Sequence, residues 1–375
     1  MSRRNFLRGG AAGIAGVAAA SGLSACTDGK HATAATQYEA SYAAFDITAG
    51  TTGEITDLLR TLDTHVARLL TSHVPAAVGI SAPPSDSGTL GPVVEPGSLT
   101  ISVGYGVSFF DKAFGDRRPT GLAAMRTFPN DALIEDWCHG DLLVEIRASR
   151  RDVVLHALRD ITRATRGGMQ IKWRQDGFIA DPRPEGAPRN HFGFKDGIVN
   201  PVDADYRRLT MIDDPAQPWT AGGSFLVVRL IRMLTEFWDR ISISEQENIF
   251  GRSRDSGAPL DGDHENNVPR YELDPTGEVI PLTAHIRLAN PRQPATDDSR
   301  IFRRAYNYSN GMDDNGNLDM GLIFTCLQAD IRRQFEAVQT RLIDEPLTDY
   351  ISPFGGGYFY LPPVVSGGSI TGGIV

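Results

Sequence analysis

One stretch of this chain sets an acid among glycines and aromatics: Arg189-Asn190-His191-Phe192-Gly193-Phe194-Lys195-Asp196-Gly197-Ile198-Val199-Asn200-Pro201. Gly193 and Gly197 admit backbone angles that other residues resist, and Pro201 ends any regular element. Asp196 stands between the glycines, framed by Phe192, Phe194, Ile198 and Val199. A carboxylate held this way suits a proton carrier whose acidity is tuned by its surroundings. It equally suits an Asx turn, in which the aspartate bonds only nearby backbone, and this stretch alone favours the turn. Other chemistries are poorly supported. Cys26, Cys138 and Cys326 contain no Cys-x-x-Cys pair, hence no thiolate zinc or iron–sulfur set, and three cysteines make no disulfide framework. Gly355-Gly356-Gly357 lacks the Lys-Ser/Thr of a phosphate loop and reads as a close backbone approach in a sheet.

Two later stretches change the balance: Ala284-His285-Ile286-Arg287-Leu288-Ala289-Asn290-Pro291-Arg292 and Arg303-Arg304-Ala305-Tyr306-Asn307-Tyr308. With Gly193-x-x-Asp196-Gly197 they resemble the dye-decolorizing peroxidases, a family of haem enzymes. That family carries a Gly-x-x-Asp-Gly motif, a later His that ligates haem iron, and an Arg at a short fixed distance beyond it. Here Arg303 follows His285 by 18 residues. The first half adds Val103-Gly104-Tyr105-Gly106, Phe109-Phe110-Asp111 and His139-Gly140-Asp141-Leu142-Leu143. The Phe-His-Gly-x-His-Gln-x-Gly-Ile stretch with which members usually begin has no counterpart between Gln37 and Asp46.

The resemblance implies a haem b cofactor with His285 as the proximal iron ligand. Asp330 is expected to accept from the other ring nitrogen of His285. Asp196 would sit on the opposite face and move a proton from the near to the far oxygen of hydrogen peroxide. Arg303 would stabilise negative charge there, with Arg304 the alternative by position; a guanidinium keeps its proton, so its role is electrostatic. A carboxylate proton carrier implies activity favoured by weak acidity. Arg232, Arg287 and Arg292 are expected near haem propionates, and Trp219, Trp238, Tyr306 and Tyr308 as relays for electrons from bulky donors. The implied activity is reduction of hydrogen peroxide with single-electron oxidation of dyes or phenol-like small molecules. The alternatives are a haem- and iron-handling lipoprotein of the deferrochelatase kind serving iron uptake, or a peroxide-consuming partner of a copper oxidase.

The N-terminus reads as an address. Ser2-Arg3-Arg4-Asn5-Phe6-Leu7-Arg8 and the small-residue run Gly9 to Ala20 look like a twin-arginine export signal, too short and weakly apolar to span a membrane. Such export carries folded proteins. Leu23-Ser24-Ala25-Cys26 looks like a lipoprotein box, which makes Cys26 a lipidation candidate and the lipid the only membrane attachment. Cleavage near Ala32-Thr33-Ala34 would instead release a soluble protein. The net charge of −9, on a chain whose first 25 residues hold three Arg and no acid, argues against the basic face that nucleic acids need.

These residues must be positioned by a globular core, which 41% hydrophobic and 22% charged residues support. The expected division is a signal over 1–25, a linker over 26–40, and domains over 41–215 and 216–375. Thr51-x-x-Glu54 is a capping box opening a helix through Ile55, Leu58, Leu59, Leu62, Val66 and Leu69. With strands at Tyr42–Ile47, Leu99–Val103, Leu142–Ile146 and Ile171–Trp173 and a helix over Val153–Ile161, the first domain follows the ferredoxin-like order. Phe109-Phe110-Asp111 reads as loop. The second domain shows strands at Ser224–Ile231, Gly321–Cys326 and Gly355–Tyr360. It also shows a short helix opened by Ser244-x-x-Glu247 and a longer one with Ile331, Phe335, Val338 and Leu342 on one face. The fold class is therefore α+β. The resemblance implies two ferredoxin-like domains with antiparallel sheets and a haem pocket mainly in the second.

Overall fold

A computed structural model describes residues 37–363 and Ile374, so the export signal and Cys26 lie outside the described residues. The first half runs β1 (Glu39–Ile47), α1 (Thr52–Leu69), β2 (Thr100–Tyr105), α2 (Val107–Lys112), β3 (Leu142–Ala148), α3 (Arg151–Ala164) and β4 (Met169–Phe178). All pairings are antiparallel, in the order β4-β1-β3-β2. The Thr51 hydroxyl accepts from Glu54 N–H at 3.2 Å while the Glu54 carboxylate accepts from Thr51 N–H at 3.0 Å. The six apolar residues of the α1 stripe are all buried. α2 stands where a loop was expected; one helical turn buries both Phe109 and Phe110 against Tyr105.

The second half comprises α4 (Asp203–Thr210), β5 (Ser224–Met233), α5 (Thr235–Trp238), α6 (Ile243–Phe250), α7 (His285–Ala289), β6 (Phe302–Met312), β7 (Leu318–Gln328), α8 (Ala337–Arg341) and β8 (Ile351–Leu361). Its antiparallel order, β8-β5-β7-β6, repeats the permutation of the first sheet. The cap of α6 is Ser242, not Ser244. Ser242-x-x-Glu245 offers the same pattern two residues earlier, with Glu245 N–H donating to Ser242 at 3.1 Å, and Gly251 ends the helix at φ 80°. The expected helix over 331–342 forms as a π turn, Arg332–Glu336, running into α8, and Ile331, Phe335, Val338 and Leu342 are all buried.

The two sheets are not separate. Single residue pairs, Tyr105↔Tyr360 and Phe178↔Asn307, join them into one closed eight-stranded barrel. Tyr42 and Leu143 from one half and Leu226, Val228, Ile323 and Phe359 from the other form one shared apolar cluster. A charged group crosses the seam beside it. Glu145 of β3 accepts from the Tyr42 hydroxyl at 2.7 Å and from Arg304 of β6 at 2.6 Å, and Arg147 lies 3.5 Å away. Burial opposes charge on Glu145, but Arg304 and Arg147 outweigh it and hold its pKa below the usual carboxylate value.

Removing this carboxylate strands one buried guanidinium, Arg147, and one part-buried, Arg304. Glu145→Ala should cost about 3–5 kcal/mol, read as a lowered unfolding midpoint. A depressed folded pKa stabilises above the ordinary Glu value, and that contribution is lost as pH falls through the lowered one. A midpoint measured against pH should therefore fall on acidification in the native chain, with this component missing from Glu145→Gln.

Candidate active site

The Asp196 loop is fastened from outside so that its acid is left free. Gly193, at φ 83°, turns the chain, and Asn190 Oδ1 accepts from the N–H groups of Phe192 and Phe194 at 3.1 and 3.2 Å. Asn190 thus takes the Asx role that Asp196 could have filled. Arg189 donates to the Gly193, Arg254 and Asp255 carbonyls, and Lys195 donates to Glu265 at 2.5 Å. Phe192 stacks on Trp238 at 4.4 Å and Phe194 on Phe250 at 4.1 Å. These rings pack with Met233, Ile249 and Leu347, so residues 189–201 join the core of the second half, although the expected division placed them in the first.

Arg303 follows from strand alternation. On β6, successive side chains face opposite ways; Arg304 turns inward to Glu145, while Arg303 turns out toward the loop. Arg303 Nη1 lies 3.7 Å from Asp196 Oδ1, too far for a hydrogen bond, and both side chains keep about a quarter of their surface open. This geometry leaves both groups able to bind something placed between them, and it excludes Arg304 as the distal arginine.

His285 opens the five-residue helix α7. Its Nδ1 meets Glu345 Oε2 at 2.7 Å, and Glu345 is 3% exposed. A carboxylate only accepts, so Nδ1 carries a proton, and in the neutral imidazole Nε2 keeps its lone pair. Burial disfavours a charged imidazole here, but Glu345 outweighs burial and holds the His285 pKa above its usual value. Asp330 is not the partner of this histidine. Its Oδ1 accepts from Arg333 N–H at 2.9 Å and its own N–H bonds Gln334 at 3.0 Å, so it caps the helical turn that begins there.

Asp196, His285 and Arg303 line one cavity of about 250 Å³, bounded by the β5–β7 face and the α8 segment. Of the arginines expected near propionates, only Arg292 lines it. Arg287 is spent on Asp274 and the Ile280 carbonyl, and Arg232 on Asp313. Arg252 and Arg300 line it instead, unmarked by any local motif. Glu345 was equally hidden, 60 residues beyond His285 with no pattern linking the two. Among the aromatic relays expected, Trp238, Tyr306 and Tyr308 are buried, and Trp219 packs edge-on against Tyr360.

Haem requires a nitrogen ligand with a fixed lone pair, apolar walls for a flat ring, and cations for its propionates. His285 backed by Glu345, the walls formed by Phe194, Phe250, Leu322 and Phe324, and Arg252, Arg292 and Arg300 meet these demands, so the residues present fit the group.

Comparisons with known proteins identify the family. Residues 31–179 match the family model described as Dyp-type peroxidase, N-terminal, and residues 187–366 the one described as Dyp-type peroxidase, C-terminal. The chain is 42% identical over 334 residues to a Deferrochelatase of Yersinia pestis, covering 86% of this chain and 77% of that protein. It is 43% identical to a Deferrochelatase of Escherichia coli strain K12, covering 86% and 79%. Among solved structures, the DyP-type peroxidase from Cellulomonas bogoriensis is similar at a TM-score of 0.81 and 31% identity, covering 90% of this chain and 93% of that one. Ferric DtpA from Streptomyces lividans is similar at 0.81 and 33%, covering 90% and 92%.

The two candidate partners of His285 make opposite claims on haem affinity. Glu345→Ala should weaken it about 10- to 100-fold, measured by haem titration, while Asp330→Ala should leave it unchanged.

Proposed function

The chain belongs to the Dyp-type peroxidase family, and we propose that Asp196 and Arg303 handle peroxide in its haem cavity while His285 holds the iron. The protein is a haem peroxidase: it reduces hydrogen peroxide and oxidises a small-molecule donor. Bound haem supplies the redox chemistry, and the chain's own groups supply the rest. His285 would hold the iron, with Glu345 orienting the ring and strengthening the free nitrogen as a donor. Asp196 would take a proton from one peroxide oxygen and return it to the other; over the full cycle two electrons from the donor, relayed by bound haem, and two protons turn the peroxide into two waters. Arg303, fully charged, stabilises the negative charge that develops as that bond lengthens. The observation that carries this assignment is the unbonded 3.7 Å gap between Asp196 and Arg303, open to the cavity that His285 lines.

Arg303→Ala should retain haem and its Soret band yet lose about 10²- to 10³-fold in kcat. His285→Ala should lose the haem. Retained turnover in the first variant, or normal haem loading in the second, removes the corresponding assignment.

The Deferrochelatase name of the relatives supports a second reading, removal of iron from haem in the same cavity. Haem incubated with the protein would then yield fluorescent metal-free porphyrin, and Asp196→Asn would separate that yield from dye oxidation. Residues 1–25 support export by the twin-arginine route, and Cys26 supports a lipid anchor on the outer side of the membrane. A partner in iron uptake or a copper oxidase fits that location. Among the described residues no helix is long and apolar enough to cross a membrane. Cys26→Ser should move the exported protein from the membrane to the soluble fraction; an unchanged distribution would favour simple cleavage.

A further inference from the structure

Asn200 stands four residues beyond Asp196 on the same loop. Its carboxamide makes two hydrogen bonds to a single residue. Oδ1 accepts from Arg303 N–H at 2.9 Å, and Nδ2 donates to the Arg303 carbonyl at 2.9 Å. This planar donor–acceptor pair gives Arg303 what a neighbouring strand gives a residue in an antiparallel ladder. Among the described residues no strand is there to do so. β6 pairs with β7 on one side through Arg303↔Cys326, and on the other side β4 reaches β6 only at Phe178↔Asn307. Without Asn200 a part-buried N–H and C=O at the start of β6 would lack partners.

The contact joins two elements that carry the peroxide-handling groups. The Asp196 loop is already anchored on its near side by Arg189 and Lys195. Asn200 anchors its far side directly to the backbone of the residue whose guanidinium faces Asp196. Pro201 follows, and a residue before proline is held to extended backbone, which limits how far the carboxamide can swing. A second tie lies just beyond: Arg300 donates to Asp205 at 2.7 Å, and Tyr206 packs edge-on against Phe302 at 5.1 Å. Loop and strand therefore move as one body at this point.

We propose that Asn200 is a positioning residue that fixes the separation of Asp196 from Arg303 by serving as a one-residue strand partner for Arg303. The proposal rests on the reading of Asp196 and Arg303 as the peroxide-handling pair. Only asparagine combines these two bonds at this length. Aspartate loses the donor and sets a negative oxygen against a carbonyl; alanine loses both bonds; glutamine adds a methylene that pushes loop and strand apart. A displacement of about 1 Å between catalytic groups is enough to cost on the order of 10²-fold in rate.

The test is a double-mutant cycle on the haem-loaded full chain, with amide hydrogen exchange on the haem-free protein as a readout independent of turnover. Asn200→Ala and Asn200→Asp are each made in the native and Arg303→Ala backgrounds. Asn200→Ala should keep the Soret band, lower kcat/KM for hydrogen peroxide about 10- to 100-fold, and speed exchange in the peptide holding Arg303. Asn200→Asp, which keeps the size but sets a negative oxygen against the Arg303 carbonyl, should lose at least as much. In the Arg303→Ala background neither change should lower kcat/KM further. An equal loss in both backgrounds, or unchanged kcat/KM despite faster exchange, overturns the proposal while leaving the catalytic pair intact. Full turnover in Arg303→Ala alone overturns the pair itself, and the proposal with it.

Discussion

Two consecutive arginines on a strand cannot share a face, and the site depends on that constraint at Arg303 and Arg304. Strand geometry sends one into the cavity and the other to Glu145. A slip of one residue in the register of β6 would exchange them, placing the wrong guanidinium beside Asp196 and stranding Glu145. Register is held from several directions at once. β7 pairs with β6 along its length, Glu145 of the first half grips Arg304, and the Asn200 carboxamide grips the backbone of Arg303. The buried carboxylate of the first half thus helps aim a side chain that works in the second. The closed barrel is what makes this reach possible, because Glu145 and Arg304 would lie on unrelated sheets in two independent ferredoxin-like domains.

The sheet supplies rigidity and the connections supply chemistry. Asp196 comes from the chain between β4 and β5, His285 from the excursion between β5 and β6, and Glu345 from the connection between β7 and β8. Asp196 and His285 are pinned by contacts outside the cavity, so each can present an open group inside it, and Glu345 backs the imidazole. The excursion shows how this works at α7. Arg287, two residues after His285, bonds the Asp274 carboxylate and the Ile280 carbonyl and lies over the Tyr271 ring, which holds a five-residue helix too short to be stable alone. An arginine that looks like a propionate ligand in the sequence is instead part of the mount for the imidazole.

What could be read without coordinates was whatever the chain writes locally. The glycine spacing around Asp196, the capping box at Thr51 and the stripe of α1 are complete within a few residues, and each appears in the structure as written. Glu345 has no such context, because its meaning comes from a contact with His285 across 60 residues. Asp330 drew the assignment because it follows a strand end, but an acid there is equally placed to cap the next helix, and it does so. β6 escaped notice as a strand because part-buried Arg304 and buried Tyr306 and Asn307 put polar side chains where an apolar alternation would mark a strand. The same holds for Asn200, whose Asn-Pro pairing reads as a turn while its side chain acts as a strand.

The charge balance around the cavity gives the last link between packing and function. The chain as a whole is acidic, yet Arg252, Arg292, Arg300 and Arg303 all line this one cavity. Glu345 is committed to His285, and Arg300 to Asp205 and Asp297. Arg252 is held by the carbonyls of Gly257 and Glu265 rather than by a carboxylate, and burial, then the like charge of Arg303, pulls its pKa down to about 10. At neutral pH it remains a cation, and the nearby acid Glu265 has its carboxylate already bonded to Lys195. A prosthetic group with carboxylate edges answers it, and binding to the folded chain alone then stabilises the fold by mass action. The side chains that admit haem, and the hydrogen bonds that hold Asp196 and Arg303 apart, therefore belong to one electrostatic arrangement in which cofactor uptake and a formed site are coupled.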